Sequence, residues 1–192
     1  MARRVFFSFH YQDIIDFRAN TVRNHWLTKK DREVAGFFDA SIWEKAKKDS
    51  PIALKRLING AVKNTSNTCV LIGSDTSNRR WVKYEIFKSL ASGNHIFGVH
   101  INKIKGKDQK IKNYGDNPFE NLGYQYSEDG KKLLPIELKN GKWIFYTDYD
   151  SYSLSKIAPK EKWGKAYKLS KDYKTYCWNK DDGYNNFSKW VK

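Results

Sequence analysis

The chain has 192 residues, with 36 lysines and arginines against 21 aspartates and glutamates for a formal charge of +15, and 16% of its residues are aromatic. This aromatic content excludes a disordered chain; the length suits one full core and is short for two; and no run of about 18 apolar residues exists to cross a bilayer. The positive excess is spread about evenly over both halves without a long Lys/Arg run, which favours a solubility role over a duplex-binding stripe.

In chain order, RVFFSF (4–9) reads as a short strand. DIIDFRANTVRNHW (13–26) follows, with Ile14, Ile15, Val22 and Trp26 near helical spacing. VAGFFD (34–39) reads as a second strand. Ser50 as cap and Pro51 at the first helical position open a helix whose Leu54, Leu57, Ile58, Ala61 and Val62 repeat at i, i+3, i+4. TCVLIG (68–73) is a third, buried strand, SDTSNRRWVKYEIFKSL (74–90) opens an amphipathic helix, and HIFGVHI (95–101) is a fourth strand. Strands alternating with helices, apolar throughout, predict a doubly wound parallel α/β sheet over 1–105.

The texture then changes. Residues 102–124 are polar and punctuated, and two β-type runs flank Asn140-Gly141, a hairpin signal. The last forty residues are rich in Tyr and Trp without a clear helical period. The expectation is one domain spanning 1–192, with 106–192 an elaboration packed on the 1–105 core. Cys69 and Cys177 have no disulfide-framework spacing and the N-terminus does not read as a signal peptide, so a soluble, reduced, cytoplasmic protein without membrane attachment is expected.

Ligands of open α/β sheets bind beyond the carboxyl ends of the strands. Ser8-Phe9-His10-Tyr11, Asp39-Ala40-Ser41 and Gly73-Ser74-Asp75 follow the first three strands and would bring hydroxyls, backbone donors and an imidazole to one edge, fit for a nucleotide's phosphates and sugar. The same residue types also serve as caps and turns, and both readings stand on residue chemistry alone. His10, His25, His95 and His100 show no metal-ligand spacing, so no metal site is expected; Walker, G-x-G-x-x-G and G-x-S-x-G patterns are absent. Glu85 falls one turn after Trp81 on a face adjacent to the Val82–Ile86–Leu90 stripe, at the boundary of core and solvent. By this pattern a surface glutamate paired with Arg80 or Lys88 is the simpler reading.

Three blocks shift that balance. RVFFSFHYQD (4–13) resembles the first strand and loop of a TIR domain, GFFDAS (36–41) its second strand leading into the BB loop, and CVLIGSDTSNRRWVKYEI (69–86) its third strand and following helix. NAD-consuming TIR domains carry a Trp-x-x-x-Glu element there. Including the tail DDGYNNFSKWV (181–191), the chain resembles the TIR-like protein of the bacterial Thoeris anti-phage system over nearly its whole length. The resemblance implies a flavodoxin-like sheet and cleavage of the nicotinamide–ribose bond of NAD⁺, a substrate and not a cofactor. The product would be a cyclic ADP-ribose isomer that diffuses to a separate effector, with a phage-derived trigger and a possible homo-oligomer. It places the catalytic carboxylate on Glu85 and substrate contacts on Ser8, Phe9, His10, Asp39 and Trp81, with Ser74 added from the strand-end reading. His10 and Tyr11 stand where many animal TIR enzymes have arginines. The alternatives are a TIR-like interaction module without catalysis, binding a nucleotide or a protein, and a nucleic-acid binder whose Tyr/Trp-rich C-terminal part offers stacking surfaces; specific nucleic-acid binding is not expected, because those aromatics read first as core and hairpin packing.

Overall fold

The computed structural model of the chain describes residues 3–37 and 40–192. The elements run β1 (Arg3–Ser8), α1 (Gln12–Ile15), α2 (Arg18–Leu27), β2 (Arg32–Ala35), α3 (Ala40–Asp49), α4 (Pro51–Val62), β3 (Asn67–Ile72), α5 (Arg80–Ala91) and β4 (His95–His100). After a long loop come α6 (Pro118–Asn121), β5 (Leu122–Tyr126), β6 (Lys132–Lys139), β7 (Lys142–Phe145), β8 (Tyr152–Ser153), β9 (Ala166–Lys168), β10 (Thr175–Cys177) and α7 (Gly183–Trp190).

The central sheet is parallel in the order β10-β4-β3-β1-β2. This is the doubly wound order in which the chain reverses direction between β1 and β3, opening a crevice at their carboxyl ends. Alternation along the strands assigns the two faces. Val5, Phe7, Cys69, Leu71, Phe97 and Val99 pack beneath α2 and α7, against Val22, Trp26, Phe187 and Trp190. On the opposite face Phe6 meets Leu54, Ile58 and Val62 of α4, while Val70, Ile72 and Ile96 meet Val82, Ile86 and Phe87 of α5. Ser8 has the parity of Phe6, so its hydroxyl is sent toward α5.

Several local expectations are corrected. The second strand ends at Ala35 and does not run over 34–39. Gly36 turns the chain out of the sheet at φ +91°, where a Cβ would strike the Phe7 carbonyl. The helical pattern over 13–26 is broken in two, because Phe17 takes a left-handed conformation at φ 64° and α2 starts afresh at Arg18. Arg18 is buried, donating to the carbonyls of Ile104 (3.0 Å) and Lys110 (2.7 Å) and to Asp16 (2.9 Å), which ties the loop after β4 down on α2. The helix of the third block begins at Arg80, after a tight turn over Thr76–Asn78 whose Thr76 hydroxyl accepts from Gly73 N at 2.8 Å. The Ser50 cap and Pro51 start of α4 stand as read, with Ser50 Oγ accepting from Ala53 N at 3.1 Å.

Beyond β4 lies a second, antiparallel sheet in the order β7-β6-β5-β9, with β8 also on β6. Its β6–β7 hairpin turns at Asn140-Gly141 with φ of 51° and 75°, both positive as a two-residue turn of matching twist requires. The tail, in which no element was legible, returns to the central sheet: β10 pairs with β4, Cys177 opposite His100, and α7 covers the α2 face. Tyr176 stacks on Trp190 at 4.2 Å. The buried Gly183, Phe187 and Trp190 of α7 fall at i, i+4, i+7, a helical spacing that the Tyr- and Trp-rich surroundings masked in the sequence. Cys69 and Cys177 are both buried free thiols, and no described helix is long and apolar enough to cross a membrane.

Candidate active site

The crevice where the sheet reverses direction holds a cleft of about 530 Å³. Phe9, His10, Tyr11 and Gln12 line it from the segment after β1; Asn78, Arg79, Arg80, Trp81, Val82 and Glu85 line it from the start of α5. Two segments about seventy residues apart in sequence thus face one another because β1 and β3 are neighbours.

Glu85 forms the inner wall. It is 5% exposed, so it is not the boundary glutamate that the helical pattern suggested. It pairs with neither Arg80 nor Lys88: Arg80 is held by Asp148. Instead Ser8 Oγ donates to Glu85 Oε2 at 2.5 Å, buried at the end of β1. Burial raises the Glu85 pKa to about 8, and the Ser8 hydrogen bond opposes that rise by favouring the carboxylate. A group so placed exchanges its proton near neutral pH, and a cation entering the cleft would favour its charged form.

One turn earlier, Trp81 is half-buried, its ring edge-on to Tyr84 at 6.0 Å and capped by the Arg80 guanidinium at 4.9 Å. Phe9 lies across the cleft and packs on Phe37 with its ring tilted by 36° at 4.4 Å. His10 has its pKa lowered, by burial first and then by the charge of Arg79, so a neutral imidazole faces the cleft at pH 7. The structure therefore brings Ser8, Phe9, His10, Trp81 and Glu85 to one place. Ser74 is set apart: it is exposed, and its hydroxyl donates to the Asn113 carbonyl at 3.3 Å and accepts from Asn102 Nδ2 at 3.4 Å, beneath the loop after β4. Asp39 lies outside the described residues.

Three features escaped the sequence reading. Arg79 and Arg80 line the cleft, and their place immediately before Trp81 was the available signal. Asp148 and Tyr146, on the segment after β7, hold Arg80 by its guanidinium and its carbonyl, with no local signal to mark them. Asp13 is 4% exposed and packs against the Cα of Gly73, its pKa raised by burial to about 6 despite the nearby Lys112. Among the described residues, no group of three or more His, Cys, Asp or Glu is placed to hold a metal ion.

A buried carboxylate facing an aromatic-walled cleft with cationic side chains in its lining is suited to a ligand that carries both positive and negative groups. Comparison with known proteins points the same way. The family model of the TIR-like domain of Thoeris protein ThsB matches residues 6–106, a span that runs from within β1 to beyond β4 and holds the cleft-lining residues from Phe9 to Glu85. A protein of Bacillus cereus (strain MSX-D12) with the curated name "Putative cyclic ADP-D-ribose synthase ThsB1" is 62% identical over 191 residues, covering 100% of both chains. A parallel sheet of flavodoxin-like order, a tryptophan and glutamate one turn apart on its cleft helix and similarity over the full length agree: the chain belongs to the Thoeris ThsB family of TIR-like proteins.

Proposed function

We propose that the protein is an ADP-ribosyl cyclase that splits the nicotinamide–ribose bond of NAD⁺ and closes the remaining ADP-ribose into a cyclic isomer. The observation that carries this reading is Glu85, buried in the wall of the switch-point cleft with Ser8 on its carboxylate. The naming of the Bacillus cereus relative as a cyclic ADP-D-ribose synthase supports it.

Nicotinamide in NAD⁺ is already a cationic leaving group and needs no general acid, unlike the leaving oxygen of ordinary glycosidases with their two carboxylates. The C1′–N bond breaks with its electrons going to the ring, and C1′ becomes oxocarbenium-like. One desolvated carboxylate at Glu85 stabilises that charge more strongly than it could in water. The arriving cation lowers the carboxyl's proton affinity, so the charged form is drawn out by the substrate itself. Ring closure then forms a bond from C1′ to a hydroxyl oxygen of the same ADP-ribose, whose proton Glu85 is placed by its raised pKa to accept. Phe9 and Trp81 supply the apolar walls that keep water from competing.

In this reading the cyclic product leaves the cleft and activates a separate effector in the cytoplasm, and a phage component switches synthesis on. The test is mass spectrometry of small molecules from infected bacteria expressing the parent or Glu85→Gln. A cyclic ADP-ribose isomer found with the parent and absent with the variant is the expected result. Absence from both, with protection from phage retained, would replace the enzyme by a non-catalytic interaction module.

A further inference from the structure

Resting on the reading of the cleft as an NAD⁺ site, we propose that Arg80 is its diphosphate anchor, and that Asp148 and Tyr146, from the segment after β7, are the positioning residues that aim it.

The ligand brings two negative charges that the cleft must meet. The loop after β1 presents His10, neutral at pH 7, and Tyr11, and among the described residues lining the cleft the cationic side chains are Arg79 and Arg80, on the facing wall at the start of α5. The two differ in how they are held. Arg79 pairs with Asp75, four residues earlier on the same exposed turn, and both side chains are nearly half exposed. Arg80 is built in from three directions. Asp148 accepts from its Nε at 2.7 Å and its Nη2 at 2.5 Å, the fork of a two-bond guanidinium–carboxylate pair. Tyr146 Oη donates to the Arg80 carbonyl at 3.0 Å. The guanidinium also caps the Trp81 ring.

This arrangement leaves a use for the group. A guanidinium has five N–H donors, and among the described residues Asp148 engages only its Nε–Nη2 edge, which leaves Nη1 to receive a second anion in the same plane. The side chain is 52% exposed and Arg80 lines the cleft, which gives such an anion access. Arg80 precedes Glu85 by five residues, about 7.5 Å along the helix axis, a separation of the same order as the reach across one ribose from its anomeric carbon to its 5′-phosphate. A carboxylate at the reacting carbon and a guanidinium at the phosphate would thus be offset along α5, which sends the two side chains about 140° apart around its axis while both residues line the cleft.

The clamp itself is anchored. The Asp148 carbonyl accepts from Lys55 Nζ of α4 at 2.5 Å, and Tyr146, 5% exposed, packs on Phe87 of α5 at 5.0 Å. Residues beyond 105 thereby acquire a part in the site: they hold the phosphate end of the cleft while α5 holds the carboxylate.

The experiment is calorimetric binding of ADP-ribose, which has the diphosphate but no nicotinamide and so needs no chemistry, with adenosine as the phosphate-free control. Arg80→Gln should weaken ADP-ribose about tenfold or more, the scale of a lost charge-assisted hydrogen bond, while adenosine binding stays as in the parent. Arg80→Lys, which keeps the charge but loses the fork, should fall between. Arg79→Gln should change affinity less than about threefold, the scale of an exposed charge. Asp148→Asn should weaken ADP-ribose and raise the KM for NAD⁺ with little change in kcat. Arg80→Gln also uncovers the Asp148 carboxylate, so the double variant Arg80→Gln/Asp148→Asn separates lost attraction from new repulsion. Parental ADP-ribose affinity in either Arg80→Gln or the double variant overturns the anchor, as does an equal loss of adenosine or no ADP-ribose binding by the parent. Failure of the catalytic reading looks different: ADP-ribose binding would still depend on Arg80 in a protein that never consumes NAD⁺.

Discussion

Ser8, the last residue of β1, hydrogen-bonds Glu85, 77 positions later on α5, at 2.5 Å. The bond spans the junction of sheet and helix where the cleft begins, and it offsets part of what burial does to the carboxyl. Removing it with Ser8→Ala leaves desolvation unopposed and moves the Glu85 pKa higher still. The expected result is a pH–rate profile whose rising limb shifts upward by about one unit, since a unit corresponds to about 1.4 kcal/mol, the scale of one hydrogen bond. Cyclase activity should therefore fall several-fold at pH 7 and recover in alkaline buffer. A profile shifted the other way would dissociate Ser8 from the carboxyl.

The parent has its own pH signature. The ionised carboxylate is the reactive form and burial holds the free protein's Glu85 pKa near 8, so kcat/KM should climb with pH and level off above about 8. The limb in kcat should lie lower, because the nicotinamide ring bound beside Glu85 is cationic. Initial rates from pH 5.5 to 9.5 at low and saturating NAD⁺ measure both.

Stability should run the opposite way. The folded pKa of Glu85 lies above its ordinary value of 4.5, so the native state holds the proton more tightly than the unfolded chain. This contribution is fully present below pH 4.5 and is lost as pH rises through about 8. Glu85→Gln abolishes the titration while keeping an acceptor for Ser8. Relative to the parent, the variant should gain thermal stability on going from pH 5 to pH 9. Equal melting temperatures for the two at every pH would contradict the burial of a titrating carboxyl.

Gly73 closes the far side of the strand-end edge. A Cβ there would run into the Asp13 carboxylate, which is buried and has no room to retreat. Gly73→Ala should destabilise the fold by about 1–3 kcal/mol, the ordinary range for overpacking. Shortening the obstacle with Asp13→Ala in the same chain should return part of the loss. Urea denaturation of the two variants and the double variant measures the coupling.

Phe9 tests the exclusion of water. Replacing it with alanine removes the ring that faces Trp81 across the cleft and packs on Phe37. NAD⁺ cleavage should persist, with the product shifting from cyclic toward linear ADP-ribose as water competes for C1′. Chromatography of the products gives the ratio directly.

The architecture was largely legible in the chain because its signals are local. Ser50-Pro51 starts a helix through a cap and a fixed φ, and Asn140-Gly141 turns a hairpin because both residues tolerate positive φ. The continuous apolar run of β3 announces a strand covered on both faces. Errors fell where tertiary contact outweighs pattern. Phe17 breaks a helical repeat, Gly36 ends β2 early against the Phe7 carbonyl, and in α7 the i, i+4, i+7 spacing of Gly183, Phe187 and Trp190 becomes plain only once they pack on the sheet.

By itself, the residue pattern put Ser8, Phe9 and His10 at the end of the first strand of a parallel sheet, whereas Trp81 and Glu85 joined them only through the resemblance to TIR domains. Whether Glu85 was buried or solvated depended on the β1–β3 neighbourhood, which puts Ser8 over its carboxyl and closes water out. The partner of Arg80 was equally undetermined, since Asp148 lies 68 residues away and on a different sheet's loop. Proton affinity and the aim of a guanidinium are set by desolvation and by long-range partners, and both come into being only when distant parts of the chain pack together.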